Sequence, residues 1–256
     1  MKLIANETAY ARKCLEQNYI DRQRPYKSIR SVVRYLNQVC HIHNVEDIYY
    51  SVLSYIESTG KDVEIEQDRI ISMINENSPM NDIGNIIISQ KELDIINSFG
   101  YPYSYRIILF TMLVHYKVKL SLFPNNNNYR IESKITEIMK DAHVTLPVKK
   151  RDEMIGIFEK DGLLTQPNGG TQAKYFYLHF VDDEPQDVGV VVEDFFDFYL
   201  YYEQIEKGGR LIYCQECGKL VLVKNKNDGS TIYCTKCRKE KSLEKQKRYD
   251  DKKRGL

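Results

Sequence analysis

The chain has 256 residues, 42 % of them hydrophobic and 29 % charged, with a formal net charge of +1 and a mean hydropathy of −0.50. That is enough chain for two or three folding units with buried cores, and the composition is neither that of a disordered nor that of a collagenous protein. The longest apolar run, Ile107–Val114, lies between Arg106 and His115 and is too short to span a bilayer. The N-terminus turns polar at once and does not read as a signal peptide, so a cytoplasmic, reducing location is expected.

Residues 1–100 read as a helical domain. Tyr26–His43 carries Ile29, Val32, Val33, Leu36 and Cys40 at helical spacing, with Lys27, Arg30 and Arg34 on the other face. Further helices are expected over Val45–Ser58 and Val63–Asn75. Ser89-Gln-Lys-Glu92 has the form of a capping box, opening a short helix that ends near Gly100. Cys14 and Cys40 read as small apolar core residues. His41 and His43 have no distal ligand pair to complete a metal site.

Residues 101–181 follow a more specific order. A long apolar helix over Ser104–Leu120 precedes an asparagine loop at 125–128 and a helix near Glu132–Ala142. After the break at 143–147, a second helix runs from Pro147 to about Lys160. Gly162 closes it, Leu163-Leu164-Thr165 begins a strand, and Ala173–Val181 alternates as a returning strand. Ile135, Ile138 and Met139 form one inner stripe, Val148, Ile155 and Phe158 the other, and Ala142 is small where the two helices should meet. Over about 104–181 this pattern resembles the winged-helix DNA-binding superfamily. The resemblance implies that Lys149, Lys150 and Arg151 lie in the first turn of a recognition helix, with Gln172 and Lys174 on the wing. A generic helical core with a surface hairpin would give the same pattern.

Residues 182–208 read as an acidic linker with a strand at Val188–Val192 and an aromatic helix at 194–203. From Asp182 to Glu206 there are nine acidic residues and no basic ones. From Lys207 to the end there are fifteen basic and six acidic residues, a net +9 with neutral thiols. Such asymmetry points to a polyanionic partner, or to two solvated surfaces that pair with each other.

Residues 209–256 hold Tyr-Cys-Gln-Glu-Cys-Gly-Lys at 213–219 and Tyr-Cys-Thr-Lys-Cys-Arg-Lys at 233–239. Each Cys-x2-Cys places two sulfurs on one face of a tight turn. Two such turns supply the four thiolates that one structural zinc ion takes, here Cys214, Cys217, Cys234 and Cys237. Two disulfides would require an oxidising compartment. A hairpin of Leu220–Val223 with Thr231–Tyr233 is expected, then a helix over Arg238–Lys253. The arrangement resembles treble-clef zinc modules and the zinc fingers of bacterial regulators. The aromatic helix followed by this finger is also similar to uncharacterised proteins of bacteriophages and other mobile elements.

Together the expected fold is mainly α with small β elements: a helical region, a winged helix, and a four-cysteine zinc module with a basic helix. The candidate nucleic-acid contacts are Lys149, Lys150, Arg151, Lys174, Lys219, Arg238, Lys239, Lys241, Lys245 and Arg248. The expected partner is double-stranded DNA, for a transcription regulator or replication-initiation factor, and a homodimer is compatible with that role. The alternative is a protein-interaction module acting through 194–203. No Walker loop, Gly-x-Ser-x-Gly or His-Glu-x2-His string is present, and no catalytic residue is assigned.

Overall fold

A computed structural model describes residues 4–254, except 22–23, 64, 77, 125–128, 168–174 and 225–231, with side chains described as far as 247. The described residues are mainly helical, with three small two-stranded antiparallel sheets. The chain forms two compact units.

One unit comprises Lys2–Gly84 and Val118–Asn125. Its helices are α1 (Glu7–Glu16), α2 (Pro25–Gln38), α3 (Val45–Ser58) and α4 (Gln67–Asn75). Asn6 and Asn44 cap α1 and α3 through their side-chain oxygens, and Pro25 opens α2, where its missing N–H costs nothing. Ile29, Val32, Val33 and Leu36 are buried together with Ile48, Val52 and Ile70. Cys40, expected on the same stripe, is instead exposed. The reason is local: α2 ends at Gln38, and His41 turns the chain through the left-handed region at φ 57°. Cys14 is buried as expected. Glu7 is a buried carboxylate that accepts hydrogen bonds from Ser31 Oγ at 3.0 Å, Asn81 N at 3.0 Å and Arg34, so its charge is satisfied within the unit.

The second unit includes Asn85–Lys117 and Asn126–Leu256. It begins with β1 (Ile86–Ile88), a strand that the sequence reading missed, and α5 (Gln90–Ser98), which opens with both bonds of the capping box between Ser89 and Glu92. Next come α6 (Tyr103–Leu122), which belongs to this unit as far as Lys117, then α7 (Ile135–Asp141) and α8 (Val148–Lys160). The hairpin of β2 (Leu164–Thr165) and β3 (Tyr177–Leu178) pairs Leu164 with Leu178 and Thr165 with Tyr177. A bridge between Ile131 and Phe176 adds a third chain segment to this hairpin. Ile135, Ile138, Met139, Ala142, Ile155 and Phe158 are buried. Val148 is not; as the first residue of α8 it lies at 54 % exposure, and Met154, adjacent to Ile155 and one turn before Phe158, fills the inner stripe instead.

The acidic stretch is built into this unit. β4 (Val190–Val192) pairs antiparallel with β1, Ile88 opposite Val190. Gly189 approaches the start of α5 so closely that a Cβ would stand 2.9 Å from Gln90 N and 2.6 Å from Leu93 Cδ1. The aromatic helix begins later than expected, as α9 (Tyr199–Lys207), because Asp194 Oδ1 accepts from the Phe196 and Asp197 amides and holds 194–198 in a turn. Phe195, Phe198, Leu200, Tyr201 and Tyr202 are buried, so this segment is core and not an open partner surface. The remaining elements are β5 (Arg210–Tyr213), β6 (Leu220–Val223) and α10 (Thr235–Arg254).

Candidate metal centre and basic surface

The first Cys pair sits in the turn between β5 and β6. Those strands pair in register, Tyr213 opposite Leu220 and Arg210 opposite Val223. The hairpin therefore surrounds the first knuckle, and β6 pairs with β5 and not with Ile232 or Tyr233 of the expected partner. Thr231 lies outside the described residues, Ile232 and Tyr233 are not in a strand, and Ile232 contributes one bond, its carbonyl accepting from Gln215 N at 2.9 Å. The knuckle is closed by Gly218, at φ 65°, whose N–H donates to Cys214 O at 2.8 Å. A residue with a Cβ adopts that conformation at a cost. Gly209 is needed for another reason: a Cβ there would stand 2.7 Å from Val223 O.

The second pair opens α10. Cys234 precedes the helix and Cys237 lies in its first turn, where Cys237 N donates to Cys234 Sγ at 3.4 Å, as an oxygen cap would be used. Cys234 N donates across to Cys214 Sγ at 3.2 Å. All four sulfurs lie within 4.8 Å of one another, and all four cysteines are free of disulfides. Three are buried and Cys217 is half-buried. Cys217 Sγ and Cys234 Sγ are 3.8 Å apart. A disulfide would need about 2.05 Å. The edge of a tetrahedron with metal–sulfur bonds of about 2.3 Å is about 3.8 Å, so this spacing fits a sulfur cage around one ion.

The electrostatics support the same chemistry. Burial raises the Cys214 thiol, but backbone N–H groups of Cys234, Cys217 and Glu216 outweigh it and bring its pKa down to about 6. Cys217 is pushed up by burial, and Cys237 by sharing its proton with Cys234 and by burial. One thiolate forms readily, and each further one meets the charge already present. A dication offsets that repulsion. With four sulfur ligands and no open position, such a centre holds structure together and does not activate water.

The expected basic residues are distributed over two places in the second unit. Lys149 and Lys150 are exposed in the first turn of α8, with Lys150 2.9 Å from Glu153 Oε2. Arg151 is half-buried, and its Nε is buried with no hydrogen-bond partner among the described residues. Lys174 and Gln172 lie outside the described residues. Around the sulfur cluster, Lys219 is exposed and 3.7 Å from Asp197 Oδ1. Arg238, Lys239 and Lys245 are exposed on α10, whereas Lys241 is held by Glu216 at 2.7 Å and lies over the Tyr233 ring. Arg248 belongs to α10 by its backbone, and its side chain is outside the described residues.

Two further features escaped the sequence reading. The Ile131–Phe176 bridge had no signal, because one apolar residue between Arg130 and Glu132 makes no strand pattern. The Glu216–Lys241 contact needs the two knuckles to meet and so depends on long-range folding. Among the described residues, no helix is long and apolar enough to cross a membrane. No protein-family model, curated protein or solved structure matches this chain.

Proposed function

We propose that the chain is a non-enzymatic, zinc-stapled DNA-binding protein, with a winged helix at its centre and a four-cysteine module presenting a basic helix. The observation that carries this reading is the convergence of four sulfurs at the root of α10. Zinc bound by Cys214, Cys217, Cys234 and Cys237 would supply the folding energy that so small a module lacks, and would fix the orientation of a strongly basic element. The run from α6 through α7 and α8 to the β2–β3 hairpin, with Ile131 bridging to Phe176, supports the winged-helix part. Lys149 and Lys150 are exposed in the first turn of α8, which in this reading would be the recognition helix.

Regulation of transcription and initiation of replication in a phage or mobile element both suit this reading. The protein-interaction alternative gains nothing from α9, whose aromatic residues are mostly buried. The test is a fluorescence-polarisation titration against random duplex at two salt concentrations, with metal content measured on the same sample. Stoichiometric zinc and affinity that falls steeply with salt are expected, with loss of binding when Lys149 and Lys150 are both changed to Glu. Absence of duplex binding at low salt overturns the reading.

A further inference from the structure

Beyond its first turn and as far as Lys247, the described part of α10 has no hydrophobic face. From Arg238 to Lys247 every residue is exposed except Lys241, which is half-buried against the first knuckle. Over Thr235–Arg254 the sequence holds ten basic and four acidic residues. They are not mixed evenly. Arg238, Lys241 and Lys245 follow one another at intervals of three and four residues, which brings them to one face of a helix. The sequence continues the same intervals to positions 248 and 252, Arg and Lys. Glu240 falls on a different face, where it pairs with Lys236 at 3.8 Å, and Glu244, three residues after Lys241, borders the basic stripe. No acidic residue of the helix occupies a stripe position itself.

From this arrangement we propose that one face of α10 is a phosphate-tracking edge that lies along the backbone of duplex DNA and reads no bases. The proposal deepens the DNA-binding reading above and rests on it. From position 238 to 252 the helix rises about 21 Å, and the basic positions recur roughly once per helical turn. Duplex DNA presents a phosphate charge about every 1.7 Å of its axis, so a straight rod of cations is matched along its whole length. Two other partners fit badly. A lipid surface requires an apolar face to insert, and Leu243 is the one exposed aliphatic residue from 238 to 247. A coiled-coil partner requires apolar residues at the heptad positions that here carry Arg and Lys. Glu216 holds Lys241 at 2.7 Å, so one cation of the stripe is engaged by the knuckle until phosphate competes for it.

The test separates position from net charge. In the full-length protein, Glu244→Lys with Lys245→Glu exchanges two neighbouring charges and leaves the total unchanged, while breaking the stripe. Lys239→Glu with Glu240→Lys does the same off the stripe. Metal content and helicity on each sample establish that the module is intact. The first exchange should weaken duplex binding about three- to tenfold and lower the slope of log affinity against log salt by about one. The second should leave both within twofold, and Glu216→Gln should tighten binding by freeing Lys241. Equal effects from the two exchanges, or none from the first, overturn the stripe. If wild type binds duplex and loses binding on Lys149 and Lys150 reversal while the first exchange is silent, only the stripe fails. If wild type binds anionic vesicles and not duplex, both proposals fail.

Discussion

Cys217 and Cys234 are seventeen positions apart in the chain, yet their sulfurs stand 3.8 Å from each other, each on a different knuckle. Outside the sulfur cluster, the contacts between these knuckles among the described residues include Gln215 N to Ile232 O and the Glu216–Lys241 pair. The described core of the module is the sulfur cluster itself, with Val221 and Tyr233 packed against it. Replacing Cys217 by Ser should abolish stoichiometric metal binding and lose the α10 contribution to helicity, while the unit containing α1–α4 melts as before. Metal analysis and circular dichroism of the full-length protein check this. Retention of an ordered α10 without metal would show that sulfur packing alone holds the module.

His115 and Asp141 predict how the second unit responds to acid. The imidazole is 3 % exposed and its Nε2 lies 3.0 Å from Asp141 Oδ2. Burial depresses the His115 pKa below its ordinary value despite the opposing pull of Asp141; the Asp141 carboxyl, although raised by its burial, is held below its ordinary value by the His115 bond. The sign follows from proton uptake. As pH falls below about 6.5 the unfolded chain protonates this histidine while the folded chain resists, so stability falls with pH, by at most about 1.4 kcal/mol per pH unit for one proton. Asp141 adds loss of the same sign at pH values below the ordinary carboxylate range. Denaturant titrations between pH 7.5 and 5 should show this slope in wild type and a smaller one in His115→Gln.

How far the sequence displays this structure depends on the range of each interaction. The Ser89–Glu92 capping box is a local device, and both of its bonds are present. The inner stripe of α7 and the cysteine spacing are also local, and both led to the observed positions. The failures come where a distant partner decides. Ile86–Ile88 is a strand because Val190–Val192 pairs with it, about a hundred residues away. β6 is expected from the sequence to pair with the segment after it, and it takes β5, the segment before it. The aromatic segment starts its helix late because one side chain, Asp194, captures two amides first.

Glu92 and Lys117 form the most buried ion pair among the described residues, 2.9 Å apart with Glu92 fully buried. Glu92 also accepts from Ser89 N at 2.8 Å and Asp182 N at 2.8 Å, and Lys117 donates to Asp182 O at 2.9 Å. One carboxylate thus caps α5, neutralises a lysine and fixes the start of the acidic stretch. Lys117→Met leaves the carboxylate buried without its counterion and should cost about 3–5 kcal/mol, read as a shift in the denaturation midpoint. Glu92→Gln should cost a similar amount. A loss below about 1 kcal/mol in either variant would mean that water reaches the pair.

Gly189 gives a steric prediction in the same region. A Cβ there meets backbone atoms of Gln90 and Ser89 at 2.9 and 3.0 Å, and backbone cannot move as the Leu93 side chain can. Gly189→Ala should therefore destabilise the second unit by about 1–3 kcal/mol, through displacement of β4 from α5. Gly156→Ala, where nothing lies within 4 Å of the added Cβ and the residue is inside α8, is the matched control and should be neutral or stabilising by up to about 1 kcal/mol. Thermal melts of the two variants side by side check the pair.

If the chain binds DNA as proposed, the acidic stretch should modulate its affinity. Lys219 lies 3.7 Å from Asp197 Oδ1, so one acidic residue of that stretch already meets the basic module. If the exposed Asp183, Glu184 and Asp187 shield the basic surface in the same way, neutralising them should tighten duplex binding, most strongly at low salt where the screening length is long. Deleting 182–187 would be the wrong variant, because Asp182 is anchored by Glu92 and Lys117 and its loss would break the core. Changing the three exposed residues to Asn or Gln leaves that anchor in place. Unchanged affinity in the triple variant, with thermal stability unaltered, would show that these carboxylates are solvated and cover nothing.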